Sequence, residues 1–179
     1  DNNGCQEIVS VSILEPDMIS TVATDVSESC FGMCDGSISA TSTGGTPPYN
    51  YLWSTSQTGS VVSGICAGIY TYTVTDANNC TSVPNTVAVT EPALITATTS
   101  STDVLCNGGS DGTATVIATG GTGVYTYLWS PGAQTTQTAT GLSAGTYTCT
   151  ITDDNLCVTT ISVVINEPAG ALKATQTIT

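Results

Sequence analysis

The segment from Cys106 to Pro168 repeats the segment from Cys30 to Pro92, and this duplication constrains the fold more than any other feature. The earlier copy opens CFGMCDGSISATSTGGTPPYNYLW and closes VTDANNCTSVPNTVAVTEP. The later copy opens CNGGSDGTATVIATGGTGVYTYLW and closes ITDDNLCVTTISVVINEP. Cys30 and Cys106, Trp53 and Trp129, and Pro92 and Pro168 are each 76 residues apart. A long fixed period means one structural unit used again, so fold and function are read per repeat. With 179 residues the chain holds two small domains. Each is near the size at which a core alone is marginal and covalent staples help.

No segment keeps a helical period. Apolar residues alternate with polar ones and are interrupted by Gly, Pro, Asn and Asp, which predicts short strands joined by turns. In the second copy the predicted strands are 94–101, 113–119, 125–129, a weaker polar one at 135–140, one after Gly145, and one carrying Ile161, Val163 and Ile165. Ala114, Val116 and Ala118 share one face, as do Tyr125, Tyr127 and Trp129, and as do Tyr147, Cys149 and Ile151. The first copy puts Ile38 and Ala40, then Tyr49, Tyr51 and Trp53, then Tyr70, Tyr72 and Val74, then Val87 and Val89 in the same places. Thr rows on the opposite faces suit a solvated sheet surface. The fold class is all-β: two tandem immunoglobulin-like β-sandwiches with an extra N-terminal strand.

The ends repeat the pattern in fragments. Cys5 to Glu15 has the spacing of Cys157 to Glu167, which places Val9, Val11 and Ile13 where the second copy has Ile161, Val163 and Ile165. The expected divisions are an N-terminal strand at 1–16, sandwiches at 17–92 and 93–168, and a strand at 169–179 resembling the first strand of a further repeat. The short Glu91-Pro92 junction predicts sandwiches strung end to end with limited freedom.

Fourteen acidic residues face a single base, Lys173, with no Arg and no His, for a net charge of −13. Phosphate recognition needs Lys and Arg, so nucleic acid and anionic lipid are excluded as partners. Without His the commonest general base is missing and no Ser–His or Cys–His pair exists, so no enzyme is expected. Eight cysteines in a Thr-, Ser- and Gly-rich chain predict an oxidising compartment. No apolar run has the length of a membrane span, and no signal peptide precedes the repeats, so a secreted form would begin here as a mature chain.

The Cys-x-Gly-x-x-Asp-Gly opening, Gly-Gly-Thr turn, Tyr-x-Tyr-x-Trp strand, Gly-x-Tyr-x-x-x-x-x-Asp strand, following Cys and terminal Glu-Pro together resemble SprB repeats. Those repeats occur in large cell-surface and secreted proteins of Bacteroidota, including gliding-motility adhesins. The resemblance covers both full and both partial repeats. It implies secretion by the type IX route and a surface role, and it supplies no active site. The two aromatic strand motifs are also similar to PKD-type sandwich domains. The first copy departs at Cys34 and Cys66, where the second has Ser110 and Ser143; the second departs at Cys149, where the first has Tyr72.

Among the cysteines, Cys30 with Cys80 and Cys106 with Cys157 are the pairs common to both copies. Each is expected to close about fifty residues, worth about 4 kcal/mol in the chain-entropy account. Cys34 and Cys66 are private to the first copy and are expected to pair with each other. Cys5 is free, bridged to another molecule, or paired with Cys149; the alternation of its strand makes Cys149 a buried thiol behaving as a small hydrophobe.

Asp35 and Asp111 recur in the opening loop, and Asp76 and Asp153 in the turn near the end of each repeat. These are the candidate calcium ligands, because hard cations want several loop oxygens, although Asp in such places is commonly a turn residue. A cofactor is otherwise not expected. Trp53 and Trp129 alternate into the core, which disfavours a sugar platform; glycans enter as partners through the Thr- and Ser-rich surface or the sequon at Asn79. The lone N-terminal strand is the sharpest clue. Ile8, Val9, Val11, Ile13 and Leu14 cannot bury their apolar groups or pair their backbone alone. The leading expectation is therefore a structural subunit of an extracellular surface fibre, adding this strand to the next copy of itself in a head-to-tail filament. The alternatives are a stalk section of one long adhesin, and a calcium- or glycan-binding module.

Overall fold

The computed structural model describes residues 9–170. Cys5 and Ile8, and the strand expected beyond residue 170, lie outside the described residues. The described chain is all-β, with twelve strands in four three-stranded sheets. It divides into two compact units, one of residues 9–26 and 36–89, the other of residues 27–35 and 90–170.

In the first unit, β1 (Ser20–Val26), β2 (Gly36–Thr43) and β4 (Val61–Ile65) form one antiparallel sheet. A second sheet consists of β3 (Asn50–Trp53), β5 (Gly68–Thr75) and β6 (Asn85–Val89). The alternation read from sequence decides what lies between them: Ile38, Ala40, Tyr51, Trp53, Val62, Ile65, Tyr72, Val74 and Val89 are buried in one core. The indole of Trp53 stacks on Tyr72 with ring centroids 4.4 Å apart, and its N–H donates to the Gly59 carbonyl at 2.9 Å. The Tyr72 hydroxyl meets that of Thr21 on β1 at 3.1 Å. Large aromatics thus fill the core while each polar end finds a partner.

The second unit repeats the plan. β7 (Thr96–Thr102), β8 (Gly112–Thr119) and β10 (Thr138–Leu142) make one sheet. β9 (Thr126–Ser130), β11 (Gly145–Thr152) and β12 (Val158–Ile165) make the other. Their order is that of a constant-type immunoglobulin sandwich without its D strand. Trp129 is buried and donates to the Thr136 carbonyl at 2.9 Å. Its cross-strand neighbour is Cys149, a buried free thiol where the first unit has Tyr72. Burial pushes the Cys149 thiol pKa up. The threonine content has a structural use on the outer faces: Thr96 pairs with Thr119 at 3.0 Å, Thr102 with Thr113 at 2.8 Å, and Thr148 with Ser162 at 2.9 Å. Such cross-strand hydroxyl pairs suit β-branched residues on a solvated face.

The division differs from the expected boundary at Pro92, because residues 27–35 of the first sequence repeat belong to the second unit. The Glu28 amide donates to the Thr90 carbonyl at 2.9 Å, Ser27 and Thr90 share a hydroxyl bond of 2.7 Å, and the Gly32 amide reaches the Glu91 carboxylate at 2.8 Å. These bonds gather the opening loop onto the chain that follows β6.

Candidate functional site

The motif residues resolve into two loop clamps. The first joins the Gly-Gly-Thr turn to the Asp near the end of each repeat. Asp76 is buried, and its carboxylate accepts amide hydrogens from Thr46 at 2.9 Å, Asn78 at 2.9 Å and Cys80 at 2.8 Å. Asp153 accepts from Thr122, Asn155 and Cys157 at 2.8, 3.0 and 2.8 Å. The amide of Thr46, assisted by those of Cys80 and Asn78, holds the Asp76 carboxyl below its ordinary pKa against the opposing effect of burial. Glycine precedes the threonine for a steric reason. Gly121 has φ +62°, and a Cβ there would sit 2.6 Å from the Asp153 carboxylate.

The second clamp organises the opening loop. The Gly108 amide donates to Glu167 at 2.7 Å, as that of Gly32 does to Glu91, so the terminal Glu-Pro closes back on the Cys-x-Gly loop. Asp35 accepts from the hydroxyl and amide of Ser29, at 2.5 and 2.9 Å, and these lower its pKa in that order. Asp111 accepts from the Leu105 amide at 3.2 Å. All four candidate calcium aspartates therefore spend carboxylate oxygens on N–H and O–H donors, those of Asp35 and Asp111 from their own loop and those of Asp76 and Asp153 from their own turn and the Gly-Gly-Thr turn. They lie in two separate kinds of loop, opening and terminal. A hard-cation cage instead needs several open oxygens converging on one point.

The cysteine pairing is a correction. Cys30 is bonded to Cys157, across a sequence separation of 127. Cys80 and Cys106 are free and exposed, so neither expected pair, Cys30 with Cys80 or Cys106 with Cys157, is formed. The physical reason is the displacement of residues 27–35 into the second unit, which carries Cys30 to the β11–β12 turn. Beside the bond, the Asn155 side chain donates to the Ser29 carbonyl at 2.9 Å. Phe31, Met33, Leu94, Ile95, Leu156 and Val158 line an apolar groove around it, all within the second unit. Cys34 and Cys66, the two private to the first repeat, are each disulfide-bonded.

Residues 9–19 form no strand. Val9, Val11, Ile13 and Leu14 are 76, 80, 91 and 87 % exposed. The counterparts of Val9, Val11 and Ile13 in the second repeat lie in β12, paired along its length with β11, where Val163 and Ile165 are buried and Ile161 packs against the core. The buried acid Glu28 was not legible as a site residue. It accepts from the Cys34 amide at 3.0 Å and stands where the second repeat has the buried Val104, so periodicity predicts an apolar residue there. Trp53 and Trp129, being buried, present no platform to a sugar.

The SprB-repeat family model matches residues 20–58 and 98–134, once in each repeat. No curated protein matches the chain in sequence. Among solved structures the chain is similar to the three N-terminal domains of the bacteriophage RB49 highly immunogenic outer capsid protein (Hoc), at 18 % identity and a TM-score of 0.48, covering 83 % of this chain and 58 % of that one. It is also similar to a C-terminal 282-residue fragment of intimin, solved in complex with the intimin-binding domain of the translocated intimin receptor (Tir). There the identity is 13 % and the TM-score 0.42, covering 85 % and 64 %. The chain thus spans less than two thirds of either. No helix among the described residues is long and apolar enough to cross a membrane.

Proposed function

We propose that this chain, whose two repeats each match the SprB repeat, is a non-enzymatic structural segment of an extracellular bacterial surface fibre, of the kind that forms adhesin stalks. It joins its neighbours head-to-tail when its N-terminal segment, not itself a strand at residues 9–19, adds as a strand to a sheet of the next copy. One observation carries this reading. Val9, Val11 and Ile13 lie open to solvent, while the equivalent Val163 and Ile165 are buried in a sandwich. An alternating apolar strand with unpaired backbone gains both burial and a hydrogen-bond ladder when it docks on a sheet edge. Head-to-tail donation is heterologous, and an operator that does not close yields a filament. The net charge of −13 keeps such filaments apart sideways. Type IX export and a place on the cell surface go with the repeat family and belong to the same proposal.

Electron microscopy of the purified chain tests it. Filaments are expected from the intact chain, and Val11→Asp/Ile13→Asp is expected to leave dispersed monomers. A monodisperse monomer from the intact chain overturns self-assembly. That outcome selects the second reading, a stalk section of a longer adhesin, which the tandem family matches favour and in which a preceding repeat takes up the strand.

A further inference from the structure

Cys80 and Cys106 are two exposed free thiols in a chain whose other exposed loops of the same kind are covalently joined. Their positions are specific. Cys106 opens the second repeat as Cys30 opens the first. Cys80 follows the clamp aspartate Asp76 as Cys157 follows Asp153, each donating its amide to that carboxylate at 2.8 Å. The Cys30–Cys157 bond joins an opening-loop cysteine of one sequence repeat to the turn cysteine of the next. By that rule Cys80 is the half that takes an opening-loop cysteine, and Cys106 the half that takes a turn cysteine.

We propose that Cys80 and Cys106 are the two complementary halves of a repeat-to-repeat disulfide, and that each takes the other as its partner from a second copy of this chain. The donor loop is formed in advance: the Gly108 amide is held by Glu167 and the Leu105 amide by Asp111, with the Leu105 side chain 80 % exposed beside the thiol. The acceptor turn is formed in advance by the Asp76 clamp. Met18, the counterpart of the groove residue Leu94, is 90 % exposed in the first unit. The second unit shows the joined version, with Cys30 on Cys157 and Phe31, Met33, Leu94, Ile95 and Leu156 lining one groove beside the bond. The inference goes beyond strand addition, since it places a covalent link at different residues.

The bond needs an oxidant, and a low-molecular-weight disulfide such as oxidised glutathione supplies it. The Cys80 thiolate attacks one glutathione sulfur, forming a mixed disulfide and releasing a glutathione thiolate. The Cys106 thiolate of the other copy then attacks the Cys80 sulfur and expels the second glutathione thiolate. The two cysteines lose two electrons and two protons, and the oxidant ends as two glutathione thiols.

The test uses the full chain incubated with oxidised glutathione. Non-reducing electrophoresis is expected to show a ladder that collapses on reduction, with a Cys80–Cys106 peptide in its mass spectrum. Cys80→Ser and Cys106→Ser are each expected to lose the ladder, and their mixture to stop at a dimer. Homodimers from either single variant, a Cys5-linked peptide as the main product, or no ladder from the intact chain each overturn the proposal. Val11→Asp/Ile13→Asp separates the two ideas: it removes strand addition and is expected to leave the disulfide ladder in place.

Discussion

The Thr122 amide donates to the Asp153 carboxylate at 2.8 Å, across 31 residues of sequence. Thr46 does the same to Asp76 at 2.9 Å. Two motif fragments that look unrelated along the chain are thus one clamp. It fixes the turn before the tryptophan strand to the turn that carries Cys80 or Cys157.

Removing the clamp leaves three amides without their acceptor. Asp153→Ala is expected to lower the stability of the second unit by about 3 kcal/mol, the scale of buried donors left unsatisfied. Asp153→Asn, which keeps one acceptor oxygen, is expected to cost less. Urea titration followed by tryptophan fluorescence measures both, and an unchanged midpoint for the alanine variant removes the clamp from the stability account.

Acid acts on the same groups in the first repeat. Asp76 and Asp35 have pKa values lowered in the folded chain by their donors. Their contribution is therefore present above the ordinary value of 3.8 and is lost as pH falls below it through the folded values. Melting temperature is expected to hold from neutral pH to about 5 and to decline below about 4. Asp76→Asn is expected to flatten that decline; an identical acid profile in this variant contradicts the assignment.

The core difference between the repeats predicts an asymmetry. Tyr72→Cys removes a ring stacked on Trp53 and its bond to Thr21, and is expected to cost about 3 kcal/mol through the cavity it leaves. Cys149→Ala in the second unit removes only one sulfur and is expected to cost about 1 kcal/mol. Cys149→Tyr overfills a site with no exposed surface and is expected to be the worse of the two changes there. Thermal melts of the three variants rank them.

The Cys30–Cys157 bond closes 127 residues, which the chain-entropy account values at about 5 kcal/mol. Cys30→Ser and Cys157→Ser are each expected to lower the unfolding midpoint by similar amounts, while Cys80→Ser and Cys106→Ser leave it near the parent value. Equal losses from all four variants, read in monomeric samples, contradict the pairing.

Strand positions and inward faces were legible from sequence. Ile38, Val74, Val116 and Ile151, placed inward by alternation alone, are all fully buried. Period-two patterning and turn chemistry are local properties, and a two-sheet sandwich must bury what alternates. The apolar character of Val9, Val11 and Ile13 was equally plain, because it needed only comparison with the later copy.

The roles of Asp76 and Asp153 were less legible. A carboxylate in a turn reads the same whether it will meet a cation or three amides; the fold supplies the amides by bringing the Gly-Gly-Thr turn against it. Glu28 was hidden because its counterpart Val104 keeps the apolar pattern and it does not.

By itself the sequence determined the repeat, the sandwich and the faces of its strands, since each follows from the order of neighbouring residues. The partner of each cysteine was decided only by tertiary structure. Two copies with equal spacing make a bond within a repeat and a bond to the next repeat indistinguishable on paper. Residues 27–35 pack with the second unit and carry Cys30 to Cys157, and a disulfide forms where two sulfurs meet in space.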